Sequence, residues 1–170
     1  MKKQPKIIGF VGLGLIGGSI AKAIRYFYPD IKIVATSGRK ETLDLALSEN
    51  IIDEGCYEVG ETFSKCDYIF LCAPVSFNAK YLADLKPIIK TDCIITDVGS
   101  TKTDIHTRVI ELDMEANFIG GHPMAGSEKT GLDNSKRHLI ENAYYVVTPT
   151  SKVSTEAVED YVEFIGSLKA

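Results

Sequence analysis

No Cys-x-x-Cys pair occurs among the four cysteines of this 170-residue chain, and its three histidines, His106, His122 and His138, sit in unrelated local contexts. A metal site needs Cys, His or carboxylate ligands gathered together, so none is expected. Cys72 and Cys93 lie inside apolar, strand-like runs and read, with Cys56 and Cys66, as reduced thiols. An excess of positive charge is also missing: 19 Lys and Arg face 23 Asp and Glu, for a net charge of -4, and the basic residues are scattered. A nucleic-acid surface would be basic and patchy, so no nucleic-acid partner is expected. No run is long enough to span a bilayer, and residues 1–5 lead into a strand rather than a signal peptide, so the expectation is a cytoplasmic protein without membrane contact. Repeats, linkers and low-complexity tracts are absent as well. With 45% hydrophobic and 25% charged residues, the chain can close one ordinary core, and residues 1–170 are read as one domain.

Glycine, by contrast, is concentrated where it matters. Gly12-Leu13-Gly14-Leu15-Ile16-Gly17 follows the apolar run 7–11 and opens a helical pattern over 16–27. In such a turn Gly12 supplies the tight bend, Gly14 lets backbone approach a pyrophosphate, and Gly17 lets helix pack on strand. The N–H groups at the start of the helix, including those of Leu15 and Ile16, then face the phosphates. A glycine-rich turn without a ligand is the plainer alternative; the position between strand and helix favours dinucleotide binding.

Strands and helices alternate along the rest of the chain. Strands are expected at 6–11, 31–36, 67–73, 93–98, 117–120 and 143–148. Helices are expected at 16–27, 40–49, 78–85, 103–114 and 156–168, with Leu43, Ala46 and Leu47 on one face of the second and Val158, Val162, Phe164 and Ile165 marking the last. Residues 51–62 read as a polar, glycine-punctuated connection, and 122–142 as a long polar loop of the kind that is functional or mobile. The near-continuous apolar runs suit strands covered on both faces. The fold class is therefore α/β, a doubly wound, mostly parallel sheet with its ligands at the carboxyl ends of the strands, where Ala73 and Pro74 close one of those ends.

An NAD site places an Asp or Glu at the end of the second strand to hold the adenosine ribose. Here the segment reads Ala35-Thr36-Ser37-Gly38-Arg39-Lys40. A 2′-phosphate would find Ser37 as donor and Arg39 and Lys40 as charges, so NADP is preferred over NAD, unless both cations are simply solvated residues entering the second helix. Two later segments also fall at strand ends, Asp97-Val98-Gly99-Ser100-Thr101-Lys102 and Gly120-Gly121-His122-Pro123-Met124-Ala125-Gly126-Ser127-Glu128. Together, Ser100 and a neutral His122 imidazole can bind and deprotonate an alcohol whose hydride leaves for a nicotinamide. Plainer roles stand beside these. Ser100 or Thr101 fits a helix N-cap, with Asp104 completing a capping box; His122 fits a backbone-bonding loop residue; Glu128, Lys129 and Lys102 fit solvated or helix-entry charges.

Taken together, Gly-x-Gly-x-x-Gly-Gly-Ser, Asp-x-Gly-Ser-x-Lys and Gly-Gly-His-Pro-Met-Ala-Gly-Ser-Glu resemble the nucleotide-binding Rossmann domain of prephenate dehydrogenases and their arogenate dehydrogenase relatives. The resemblance runs the length of the chain, and the His-Pro-Met-Ala-Gly segment is its most specific part. It implies that His122 accepts the hydrogen bond of the ring hydroxyl, that Ser100 orients it beside the nicotinamide, and that Ser127 and Glu128 border the substrate pocket. It further implies an oxidative decarboxylation in tyrosine biosynthesis, driven by aromatisation. Family members continue into a helical domain that forms a homodimer and contributes an Arg to the substrate, whereas this sequence stops at Ala170. The chain alone is therefore expected to bind NADP but to turn over prephenate or arogenate poorly. The residues alone also fit an NADP-dependent enzyme of the β-hydroxyacid type or a non-catalytic NADP-binding module.

Overall fold

The computed structural model describes residues 4–170, so residues 1–3, part of the segment read as leading into the first strand, lie outside it. Chain order is β1 (Ile7–Val11), α1 (Leu15–Phe27), β2 (Lys32–Thr36), α2 (Lys40–Ser48), β3 (Glu54–Cys56), β4 (Tyr68–Leu71), α3 (Val75–Leu85), β5 (Ile94–Asp97), α4 (Thr103–Glu111), β6 (Ile119–Pro123), β7 (Tyr145–Pro149) and α5 (Thr155–Ser167). Five strands form a wholly parallel sheet in the order β3-β2-β1-β4-β5, while β6 and β7 pair antiparallel. A single parallel bridge from Ile95 to Phe118 joins that ribbon to β5. The connections run outward from β1 in both directions, so the order reverses between β1 and β4, where a doubly wound sheet opens its crevice.

Both faces of the sheet are covered, which is why its central strands are apolar throughout. Ile8 and Phe10 of β1 and Phe70 of β4 face α1 and α5, packing with Ile20, Ile24, Tyr161 and Phe164; Val11, Ile69 and Leu71 point the other way onto Leu82, Leu85, Ile105 and Val109. The rings of Phe10 and Phe70 stack at 5.1 Å. No helix among the described residues is long and apolar enough to cross a membrane.

Several elements depart from the sequence pattern. β3 lies within the stretch read as a polar connection; three residues around a glycine, paired only with β2, carry no alternation to detect. α3 starts at Val75 because Pro74, with φ -52, serves as its N-cap. α4 stops at Glu111, just before Asp113 turns to φ 48. Lys102 is the N-cap of α4 and no side chain caps it, so the Ser100/Thr101/Asp104 box does not form. Leu47 and Val162, read as core-facing, are exposed. β6 extends to Pro123, which places His122 inside a strand rather than at the start of a loop.

Beneath the sheet, Asp67 precedes β4 and holds the start of β1. Its carboxylate accepts the N–H groups of Lys6 at 2.6 Å and Ile7 at 3.1 Å and pairs with the Lys90 ammonium. Burial alone would raise its pKa, but the Lys90 and backbone hydrogen bonds outweigh that and hold it below the usual carboxylate value. A depressed folded-state pKa stabilises the fold above the unfolded value of about 3.9, and the contribution is lost as pH falls through the folded-state pKa. Asp67→Asn is expected to cost about 2 kcal/mol at neutral pH and to flatten the fall of the urea midpoint between about pH 5 and pH 3. A variant with the wild-type acid slope would show that Asp67 does not carry this term.

Candidate dinucleotide and catalytic site

Where β1 and β4 end, a cleft of about 670 Å³ opens between them. Gly12 forms its floor with φ +95, and a Cβ there would sit 2.8 Å from the Ala73 backbone nitrogen, so only glycine fits. Gly14 has open space where a side chain would be, and Gly17 packs α1 against Cys72. Gly14 is also the N-cap of α1, which has no side-chain cap and no acid in its first turn. Helix N–H groups therefore reach the cleft uncompensated, an arrangement that attracts anions. Leu15 and Ile16 line the same wall, and Ala73 and Pro74 line the β4 side.

At the β2 end the cleft is bounded by Thr36, Ser37, Gly38, Arg39 and Thr42. The Ser37 hydroxyl accepts the Arg39 N–H at 3.2 Å, which shapes this corner. Lys40 is not brought in: its ammonium pairs with Asp44 at 2.5 Å, one helical turn along, and it does not line the cleft. Among the described residues, no Asp or Glu lines the cleft, and its charged wall residues are Arg39 and Lys129. Phe77, Tyr81 and Val98, unremarkable in the sequence, supply an apolar wall. Cys72 lines the cleft too, and burial of its thiol pushes the pKa well above the ordinary value, which favours the protonated form. Among the described residues, no three His, Cys, Asp or Glu side chains gather as a metal site.

The β5–α4 loop and β6 are tied together by one buried carboxylate. Asp97 is 1% exposed; it accepts the Gly99 N–H at 3.0 Å, the Gly121 N–H at 3.3 Å and the Lys102 ammonium at 2.5 Å. Lys102 also donates to the Gly99 carbonyl at 2.6 Å, so it folds back over the loop that carries Ser100 instead of entering solvent. Behind Gly121 lie three hydroxyls: Tyr161 bonds Thr96 at 2.9 Å and Tyr145 at 3.2 Å. Burial pushes both phenols above their usual pKa, so both remain neutral. A Cβ on Gly121 would meet the Asp97 carbonyl, the Tyr145 hydroxyl and the Thr96 hydroxyl within 3.0 Å, which explains the glycine before His122.

His122 faces away from this network. Its partner in the β6–β7 ladder is Val146, and the ladder continues in a hydrogen bond from the Met124 N–H to the Tyr144 carbonyl. Side chains alternate along a strand, so Gly120, His122 and Met124 share one face with Thr148, Val146 and Tyr144. A Cβ on Gly120 would point at His106 and Lys102, so α4 covers that end of the face, while Met124, Tyr144 and Val146 are exposed at the other. His122 stands where the covered part ends. Its Nδ1 lies 3.4 Å from the carbonyl of Val98, a residue of the cleft wall. A carbonyl only accepts, so Nδ1 is the donor here, and in the neutral ring the lone pair lies on Nε2. The hydrogen bond tying His122 to this loop thus runs to Val98, and Ser100 is an exposed residue two positions further on. Ser127 lines the dinucleotide cleft, and Glu128 is exposed outside its wall.

Residues 20–170 match the family model described as prephenate dehydrogenase, nucleotide-binding domain. The chain is 38% identical over 157 residues to the prephenate dehydrogenase of Lactococcus lactis, covering 91% of this chain and 44% of that one, so it spans less than half that relative's length. Among solved structures, it is similar to prephenate dehydrogenase from A. aeolicus in complex with hydroxyphenyl propionate and NAD+, with a TM-score of 0.91 and 29% identity over 99% of this chain and 59% of the other. It also resembles Synechocystis arogenate dehydrogenase, with a TM-score of 0.89 and 33% identity over 96% of this chain and 57% of that one.

Proposed function

The chain belongs to the nucleotide-binding domains of the prephenate dehydrogenase family, and from that premise we propose that it holds NADP in preference to NAD and presents it to prephenate or arogenate in an oxidative decarboxylation of cytoplasmic tyrosine biosynthesis. The observation that carries the reading is a switch-point cleft with an uncompensated helix N-terminus and, among the described residues, no carboxylate, whose Val98 wall carries the hydrogen bond to His122. NADP, when bound, supplies the acceptor for the hydride.

The protein's own groups do the rest. Gly12, Gly14, Leu15, Ile16 and Gly17 cradle the phosphates, and Ala73 and Pro74 bound the nicotinamide side. His122, held by Val98, offers Nε2 to the ring hydroxyl and takes its proton, and Ser100 orients that hydroxyl from the neighbouring loop. Met124, Tyr144 and Val146 give the ring an apolar surface on the same face. Ser127 stands between the two subsites and Glu128 borders the substrate. Aromatisation drives the loss of carbon dioxide, so no nucleophile is required. In a protein of the relatives' length, a helical domain would complete the pocket and pair two copies, and the 170 residues alone turn over little substrate.

Cofactor choice tests the reading directly. Wild-type chain is expected to bind NADP+ more tightly than NAD+, and Arg39→Gln to weaken NADP+ about tenfold or more while leaving NAD+ unchanged, as measured by calorimetric titration. Equal affinities in the wild type would refute the preference.

A further inference from the structure

Lys129 stands in the cleft wall with Gly12, Gly14, Leu15 and Ile16, although its loop runs between β6 and β7. That loop is fastened to α1. The Leu132 side chain and the Ser135 hydroxyl press on Gly18, the Lys136 N–H donates to the Ser19 hydroxyl at 3.0 Å, and the Lys22 ammonium reaches the Ser135 carbonyl at 3.2 Å. Residues 132–136 therefore ride on the first turns of α1, and the residues just before them stand at its N-terminal mouth. Gly131, with φ +90, turns the chain there, and Ser127 accepts the Lys129 N–H at 3.2 Å, which fixes the approach.

The charges in this region are unevenly satisfied. Lys22 pairs with Glu49, Lys40 with Asp44 and Lys102 with Asp97, whereas no carboxylate pairs with Lys129 among the described residues. Arg39 occupies the other arm of the cleft, at the end of β2. We propose that Lys129 is a ligand of the dinucleotide's pyrophosphate, closing from the loop side the anion cradle that the α1 N-terminus forms from below. The proposal rests on the dinucleotide reading above and adds a cation shared by both cofactors, distinct from the Arg39 charge that distinguishes them. A compact ammonium beside a helix N-terminus supplies the charge that backbone N–H groups lack.

The test is calorimetric titration of the chain and of its Lys129→Met and Lys129→Arg variants with NADP+, NAD+, ADP and adenosine. Lys129→Met is expected to weaken NADP+, NAD+ and ADP by a similar factor of about ten, to leave adenosine unchanged, and to keep the ligand-free unfolding midpoint; Lys129→Arg retains most of the affinity. The loss in Lys129→Met should also lower the salt dependence of binding. Unchanged NADP+ and NAD+ affinities in Lys129→Met would overturn the proposal while leaving the dinucleotide site standing, and so would a loss confined to NADP+, which would move Lys129 to the 2′-phosphate. A wild-type chain that binds none of the three phosphates would sink the dinucleotide reading and this proposal together.

Discussion

Replacing His122 with Asn, in a protein of the relatives' full length carrying this domain, is expected to lower kcat for the ring substrate by about 10²–10⁴-fold and to leave the Kd for NADP+ in place. Asn preserves a polar group of similar reach and the β6–β7 ladder, but its amide takes up no proton. On the proposed reading the imidazole does so, because the Val98 carbonyl accepts from Nδ1 and the lone pair of the neutral ring is on Nε2. NADP+ affinity is spared because His122 is not part of the cleft wall. The two measurements therefore separate proton transfer from cofactor binding. Turnover at the wild-type rate would remove His122 from the mechanism even with the family membership intact.

The second large effect concerns stability. Asp97→Ala is expected to destabilise the chain by about 3–5 kcal/mol, which for a domain of this size lowers the thermal midpoint by roughly 10 °C or more. The carboxylate is buried and its loss strands the Lys102 ammonium together with the Gly99 and Gly121 N–H groups. Much of the cost is thus the unpaired cation. Adding Lys102→Met to Asp97→Ala should recover part of the loss, and the non-additivity measures the coupling. Strict additivity of the two substitutions would show that the ion pair does not hold the loop to β6.

Much of this architecture was legible because it rests on strong local signals. The apolar runs that became β1, β4 and β5 could hardly be anything but strands covered on both faces, and Gly12 and Gly17 make the tight turn and the helix packing that the glycine motif suggests. What escaped was set by distant parts of the chain. β3 is a strand only because β2 offers it an edge. In sequence Lys102 reads as an ordinary helix-entry side chain, since nothing local reveals that Asp97 is buried below it. The placing of Lys40 and Lys129 escapes the sequence for the same reason: Lys40 pairs with an acid one turn ahead, and a loop anchored on α1 carries Lys129 into the cleft wall. Tyr81 falls inside the helix expected at 78–85 and Phe77 just before it; with α3 starting at Val75, both stand in the cleft wall.

The hydroxyl cluster behind Gly121 bears on the order in which a ribosome delivers the site. The glycine turn, the β2 corner and the aromatic wall of α3 are all synthesised by residue 81, whereas Tyr161 belongs to α5. Until α5 emerges, Thr96 and Tyr145 lack the Tyr161 hydroxyl behind the strand that bears the imidazole. Most of the cleft lining is thus made early in translation, and His122 gains the hydroxyl cluster behind its strand only once Tyr161 has been synthesised.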